Sequence, residues 1–329
     1  MDTFKGFESK LYSVNEYSFE GIALDLFRIQ ANDNPVYRQF LHCLSVDITA
    51  IQTLDQIPYL PITFFKTHNV KTGSWLEETF YTSSGTTGSV SSKHCIRDEK
   101  FYLRHAQRNF ELFFGPLSDY HFLAVLPSYQ EREGSSLIAM IQHFITESKS
   151  PHSAFYLNNQ DQLVADIENL QDSTRKIILW GVSFALLDLV EKYSINLRNG
   201  LVIETGGMKG KRKEMTRREL HNILKHGFQV STIFSEYGMT ELLSQAYSIN
   251  SERFSLPPWM KVLGRELSDP FHKGLQNESA GINIVDLANW NSISFIETED
   301  IGKVYSDGTF EILGRMDNSD VRGCNLMVD

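Results

Sequence analysis

The stretch KIILWGVSFALLDLVEKYSINLRNGLVIETGG, residues 176–207, decides the fold class. It opens with an apolar run of strand length at 176–180, passes through a segment of helical period, and closes with a second apolar run at 201–204 ahead of two glycines. Apolar runs without polar alternation are what strands covered on both faces look like, and the helical segment between them supplies the crossover that parallel neighbours require. The rhythm continues outward on both sides. Apolar runs at 122–126 and 154–157 precede it, another at 230–234 follows, and segments of helical period separate them. The reading is an α/β protein with a parallel sheet and covering helices. The helix before residue 230 carries its own punctuation: Thr216 and Glu219 form a capping box, Leu220, Ile223 and Leu224 supply an apolar face, and Gly227 is expected to end it in the left-handed conformation.

After about Leu275 the pattern changes to short strands and tight turns, with Ser306-Asp307-Gly308 a hairpin signal between 301–305 and 309–313. The first 60 or so residues are rich in aromatics and read as mainly helical, with no site placed there. The expected organisation is a single domain over 1–329: a mainly helical region at 1–70, an α/β body at 71–275, and a small antiparallel β unit at 276–329 ending in a short tail.

Composition bounds the function. At 329 residues the chain buries a substantial core without staples. Cys43, Cys95 and Cys324 are odd in number and lack metal-site or CxxC spacing, which fits a reducing compartment. The N-terminus shows no basic region followed by an apolar run, and no stretch of about 18 apolar residues is present to span a bilayer, so the protein reads as soluble and cytoplasmic. A net charge of −10 argues against nucleic acid as a partner. The one basic concentration, Lys209, Lys211, Arg212, Lys213, Arg217 and Arg218, reads as a solvated helix face or as a phosphate-holding cluster.

Four motifs carry chemistry. In Tyr81-Thr82-Ser83-Ser84-Gly85-Thr86-Thr87-Gly88-Ser89, hydroxyl side chains surround two glycines that permit sharp turns, an arrangement suited to aiming N–H and O–H donors at phosphate oxygens. It lacks Walker spacing, and taken alone it is equally readable as a flexible Ser/Gly loop. Glu204-Thr205-Gly206-Gly207-Met208-Lys209-Gly210 follows an apolar strand, where glycines let a flat ligand approach the strand's carboxyl end. Ser235-Glu236-Tyr237-Gly238-Met239-Thr240-Glu241 ends another strand and offers an aromatic face, the Thr240 hydroxyl and, in Glu241, a carboxylate suited to Mg²⁺ beside phosphates. The fourth is Thr298-Glu299-Asp300-Ile301-Gly302 with Gly314-Arg315-Met316-Asp317 and Arg322-Gly323-Cys324; Asp300 suits a ribose diol, and Arg315 suits ribose or phosphate oxygens.

In order and spacing these motifs resemble the adenylate-forming superfamily that includes the acyl-CoA synthetases. Within it the chain looks most like the acyl-protein synthetase family, the fatty-acid-activating component of the bacterial luminescence reductase complex. The residues that carry this are Leu126-Pro127-Ser128-Tyr129 with Ser135-Ser136-Leu137, Thr205 to Gly210, Pro258-Trp259-Met260 and Arg322-Gly323-Cys324, over residues 70–329. The resemblance implies the large N-terminal domain of that superfamily, with ATP and Mg²⁺ as cofactors. Thr82, Ser83, Ser84, Gly85, Thr86, Thr87 and Gly88 would hold the triphosphate beside Gly206, Gly207 and Gly238. Tyr237 would lie on adenine, Glu241 would bind Mg²⁺, and Asp300 and Arg315 would bind ribose. Typical members continue beyond the position of Asp317 into a small mobile lid whose lysine assists adenylation, whereas this sequence ends at Asp329. The expectation is a domain lacking that lid, with slow adenylation, or with Lys93 or Lys209 in the lysine's place, or with a partner supplying it.

The implied activity is conversion of a carboxylic, by resemblance fatty, acid to its acyl-adenylate. The acyl group then passes to Cys324 as a thioester for delivery to a reductase or other acceptor. A short carboxylate–CoA ligase and a nucleotide-binding interaction module without turnover are the alternatives. No GxSxG elbow marks a hydrolase, and the ten histidines lack metal-ligand spacing.

Overall fold

The computed structural model describes residues 4, 6–83, 90–126, 134–156, 158–207, 212, 215–249, 252–269 and 271–316. The chain begins with helices α1 (Phe7–Tyr12), α2 (Glu16–Asp33) and α3 (Pro35–Cys43). Asn15 and Ser18 form a capping box at the start of α2, and Asn34 followed by Pro35 opens α3, so polar side chains satisfy amides left free at both helix starts. The helices are tied to the far end of the chain. The buried Gln30 side chain donates to the carbonyls of Asn289 and Trp290 at 3.2 Å and accepts from the Ser294 amide at 3.0 Å. A short strand β1 (Leu60–Pro61) and helix α4 (Phe64–Thr67) follow. Next comes an antiparallel hairpin, β2 (Thr79–Thr82) and β3 (Lys93–Ile96), with Thr82 opposite Lys93.

Helix α5 (Glu99–Phe114) leads into the main sheet. Its strands are β4 (Tyr120–Val125), β5 (Ala154–Phe155), β6 (Lys176–Val182), β7 (Gly200–Thr205) and β8 (Ile233–Tyr237), parallel in the order β5-β4-β6-β7-β8, with β9 (Ala246–Ser248) antiparallel at the edge. Helices α6 (Ser136–Glu147), α7 (Gln160–Asn169), α8 (Ser183–Lys192) and α9 (Arg217–Phe228) make the crossovers. Every residue of β4 is buried, which is why its sequence reads as a continuous apolar run. Two adjacent residues of β6 show both faces covered. Trp180 meets Phe110 of α5 and Phe144 of α6, with ring centroids 6.1 Å apart in each case, while a Cβ on Gly181 would lie 2.7 Å from Leu186 of α8. Trp180 is thus a core residue, and Gly181 provides clearance for a helix.

The second sheet holds β10 (Met260–Arg265), β11 (Lys273–Leu275), β12 (Ala280–Asp286), β13 (Phe295–Val304) and β14 (Phe310–Arg315). Its order is β1-β13-β12-β10-β11, with β14 on β13, and all pairs are antiparallel except β1 with β13. It is wider than a β unit beginning at 276, because the hairpin from Met260 and the strand at Leu60–Pro61 are part of it. The turn at Asp307-Gly308 is as read: Gly308 has φ +80°, and Asp307 accepts from the Thr309 amide at 3.0 Å.

Helix α9 departs from expectation at its end. Thr216 and Glu219 form the capping box, but the helix runs through Gly227, and Gln229 takes the left-handed conformation at φ 55°. Gly227 instead avoids Val190, into which a Cβ would be driven.

Candidate active site

The site lies where the carboxyl ends of β7 and β8 meet the second sheet. Beneath the Gly206-Gly207 turn sits the buried Glu204, whose carboxylate accepts from Ser235 at 2.6 Å and from Ser183 at 3.0 Å; His221 is 3.5 Å away and Arg217 3.7 Å away. Burial raises this carboxyl's pKa, but the His221 hydrogen bond, the Arg217 charge and the Ser235 hydrogen bond outweigh it, so the group stays ionised below the usual range. Ser183 also reaches the Gly206 carbonyl at 3.1 Å, which anchors a turn whose glycine has φ +68°. The Thr205 hydroxyl at the end of β7 donates to the Glu236 carboxylate on the next strand, β8. That carboxylate occupies the place where a Cβ on residue 238 would stand, so the position is Gly238.

The hairpin is pinned to the turn after β8. Its open end is closed by Ser83 and Ser92: the Ser83 amide donates to the Ser92 carbonyl at 3.1 Å, and the Ser92 amide donates to the Ser83 hydroxyl at 2.9 Å. Thr82 is held by its amide on the Gly134 carbonyl at 2.7 Å. From β3, the Nδ1–H of buried His94 donates to the Thr240 carbonyl at 2.9 Å, and Ser92 hydrogen-bonds the Glu241 carboxyl. The far side of the turn is fixed from the second sheet, where Asn289 donates to the Glu241 carbonyl at 2.7 Å and Asp286 accepts from the amides of Leu243 and Ser244.

Tyr237 joins the two sheets. Its hydroxyl donates to Asp300 at 2.7 Å, and its ring lies against Phe254 and Phe310 with centroids 5.6 and 5.2 Å away. Burial raises the pKa of both Tyr237 and Asp300. Arg315 faces Asp300 across β13 and β14, and its charge reaches Tyr237, Glu241 and Asp300 together. The Arg315 guanidinium itself pairs with Glu299 at 2.9 Å, a largely exposed contact of low cost to exchange.

Thr82, Ser83, Gly206, Gly207, Tyr237, Gly238, Thr240, Glu241, Asp300 and Arg315 therefore come together around one junction. Ser84, Gly85, Thr86, Thr87, Gly88, Lys209 and Cys324 lie outside the described residues, as do Pro127 to Tyr129. Lys93 is engaged elsewhere, 4.6 Å from the centre of the Phe80 ring and 3.9 Å from Glu77. Of the basic run, Arg212 forks onto Asp188 and Glu191 of α8. Sequence reasoning did not single out Ser92, His94, Asp286 or Asn289. The available signal was polar residues at inward positions of otherwise apolar strands and turns.

Glu241 is 4 % exposed, and burial raises its pKa against the Ser92 hydrogen bond and the charges of Arg315 and Lys66. Among the described residues no group of three His, Cys, Asp or Glu side chains is placed to hold a metal ion. The buried Glu241 carboxylate, within reach of the Arg315 charge, is a hard oxygen donor of the kind that can hold Mg²⁺ together with phosphates and water.

No protein-family model matches the sequence, and a search of curated proteins found no match. Solved structures do match. The likeness is one of fold, to solved structures of acid–CoA ligases. The chain is similar to 2-hydroxyisobutyryl-CoA ligase in complex with 2-HIB-AMP and CoA, with a TM-score of 0.69 and 10% identity over 92% of this chain and 70% of that one. ATP-bound MatB from Rhodopseudomonas palustris matches with a TM-score of 0.53 and 14% identity over 72% of this chain and 47% of its own. O-succinylbenzoate coenzyme A synthetase (MenE) from Bacillus subtilis, with ATP and magnesium, gives 0.51 and 14% over 74% and 53%. The chain spans about half the length of MatB and MenE. No helix among the described residues is long and apolar enough to cross a membrane.

Proposed function

We propose that the chain uses ATP and Mg²⁺ to convert a carboxylic acid into an acyl-adenylate and then takes the acyl group onto Cys324. The observation that carries the first half is the Tyr237–Asp300 contact at 2.7 Å, which sets an aromatic ring and a carboxylate side by side within reach of Arg315 and Glu241. That is the layout a nucleoside with a ribose diol needs. The matching solved structures with ATP or an acyl-AMP bound support it.

In this reading Tyr237 lies on adenine, Asp300 accepts from the ribose hydroxyls, and Arg315 exchanges Glu299 for ribose or phosphate oxygens. The hydroxyl loop 82–88, fixed at its base by the Ser83–Ser92 pair, holds the triphosphate beside the Gly206-Gly207 turn, and Thr240 and Lys209 face the reacting group. Glu241 would hold Mg²⁺, which when bound offsets charge on the departing pyrophosphate. A carboxylate oxygen of the acid attacks the α-phosphorus, and the α–β anhydride bond breaks. The Cys324 thiolate then attacks the activated carbonyl, a C–S bond forms, and AMP leaves with the electron pair of the broken C–O bond. A fatty acid as substrate, a reductase or other acceptor downstream and a cytoplasmic setting belong to the same reading. Transfer to CoA is the second reading, favoured by the CoA-bound ligase among the similar structures.

Incubation of the full chain with ATP, Mg²⁺ and a panel of carboxylic acids is expected to release pyrophosphate and to leave a hydroxylamine-labile adduct, visible by intact mass on wild type and absent from Cys324→Ser. Pyrophosphate release with free acyl-CoA and no adduct would move the conclusion to the ligase. No release with any acid would leave a nucleotide-binding module without turnover.

A further inference from the structure

Asp300 reaches Tyr237 because β13 is bulged. Along β12 and β13, Gly281 pairs with Ile301 and Asn283 pairs with Glu297, so Ile282 alone faces Thr298, Glu299 and Asp300. Two extra residues are thereby extruded toward β8. Bulges re-aim side chains at sheet junctions, and the ladder groups they free need partners. Three are visible here. The Thr298 hydroxyl donates to the Ile282 carbonyl at 2.7 Å and accepts from the Asp300 amide at 3.1 Å, which accounts for two. The third is Arg265, on a strand not adjacent to β13. Its Nη2 donates to the Thr298 carbonyl at 2.9 Å and lies 3.7 Å from Glu297, with the residue only 2 % exposed.

To get there the Arg265 side chain crosses β12 over Gly281. A Cβ at 281 would fall inside the guanidinium, and would also come within 3.1 Å of Arg265 Cγ. The path thus exists only because that position is glycine. A buried cation has a large desolvation cost, and a neutral residue of similar volume would pack the same space more cheaply. The planar, always-charged fork does what such a residue cannot, by gripping the carbonyl that the bulge releases.

We infer that Arg265, running over Gly281, is a positioning residue that fixes the 298–300 bulge and thereby sets the Asp300 carboxylate for the ribose diol of the nucleotide. This rests on the proposed role of Asp300. Arg265 touches neither nucleotide nor acid; it acts through the Thr298 carbonyl and, at longer range, through its charge on Asp300.

The test compares pyrophosphate release with ATP and with 2′,3′-dideoxy-ATP in wild type, Arg265→Lys and Gly281→Ala. Wild type is expected to prefer ATP through KM. Both variants are expected to raise the KM for ATP about tenfold, with kcat much less affected, and to lose most of the preference over the dideoxy nucleotide, since a displaced carboxylate no longer selects the diol. Gly281→Ala keeps the cation and disturbs only its path, so it remains informative if Arg265→Lys does not fold. Retention of the full wild-type preference in a folded variant overturns the positioning role while leaving Asp300 as the ribose ligand. Absence of any preference in wild type overturns both, and pyrophosphate release with either nucleotide would still stand for adenylation itself.

Discussion

Asp300→Ala is expected to raise the KM for ATP in acid-dependent pyrophosphate release by about 100-fold, because a diol loses two charge-assisted hydrogen bonds and water replaces them only in part. One carboxylate oxygen, Oδ2, already accepts from Tyr237, which orients the group and leaves Oδ1 for a second donor. Burial makes the anion costly and raises its pKa, and the Tyr237 hydrogen bond with the charges of Arg315 and Arg265 offsets this in part. Bringing ribose hydroxyls to that carboxylate therefore relieves a cost already present in the fold. Removal of the carboxylate also strands the Tyr237 hydroxyl in a buried place, which is expected to lower stability by about 1–3 kcal/mol. The two effects separate in Asp300→Asn, which keeps an acceptor for Tyr237 but no charge. It is expected to recover most of the stability, read as a denaturant midpoint, and little of the ATP affinity. An unchanged KM in folded Asp300→Ala would show that the ribose lies elsewhere.

The parallel sheet was legible because strands covered on both faces are written as continuous apolar runs, and β4, β6 and β7 fall on such runs, while β8 shares only Ile233 and Phe234 with the run read at 230–234. Their ends were less so, for local reasons. Residue 230 looked like the start of a strand, but its amide returns to the Lys225 carbonyl at 3.1 Å, so Val230 is the apolar residue that closes the cap of α9 beyond the left-handed Gln229. The strand begins three residues later. The apolar run was read as 176–180, yet β6 continues through Val182, with Gly181 accommodating α8. At the site, the residues that would touch a nucleotide announced themselves as turns rich in glycine and hydroxyls. The residues that hold those turns did not. His94 meets Thr240 across 146 positions of sequence, and Asp286 meets Ser244 across 42, and nothing local in either segment specifies the pairing. Arg265 is harder still, since its meaning depends on Gly281 two strands' worth of sequence later and on a bulge visible only in the register.

Stability is expected to fall as pH drops from neutral toward 5, with His94 and His105 the main cause. Both rings are buried and neutral. Burial pushes the pKa of His94 down to about 4, with the Thr240 hydrogen bond opposing, and that of His105 down to about 3, with the Arg108 charge adding to burial. The tautomers follow from the partners. His94 must donate from Nδ1 to a carbonyl, so its Nε2 accepts from the Ser292 hydroxyl at 2.9 Å. Ser244 gives its proton to Asp286 at 2.7 Å, so it accepts from His105 Nε2 at 2.9 Å and leaves Nδ1 to accept from Tyr12 at 3.1 Å. A histidine whose folded pKa lies below its unfolded value near 6.5 gives full stability above 6.5 and loses it as the unfolded chain takes up the proton. Each ring then costs roughly 1.4 kcal/mol per pH unit between 6.5 and its folded pKa, or about 4 kcal/mol for the pair by pH 5. Asp286, Glu241, Glu297 and Asp300 act in the opposite sense, since burial raises the pKa of each and the folded state there gains a proton more readily. Replacing one ring isolates the histidine contribution. His94→Gln keeps a donor and an acceptor without a titrating group, and the slope of unfolding free energy against pH between 6.5 and 5 is expected to fall by the contribution of one ring, about 1.4 kcal/mol per pH unit. A wild-type denaturant midpoint that stays level across that window, or a His94→Gln slope equal to that of wild type, would mean that these rings are not held neutral by the fold.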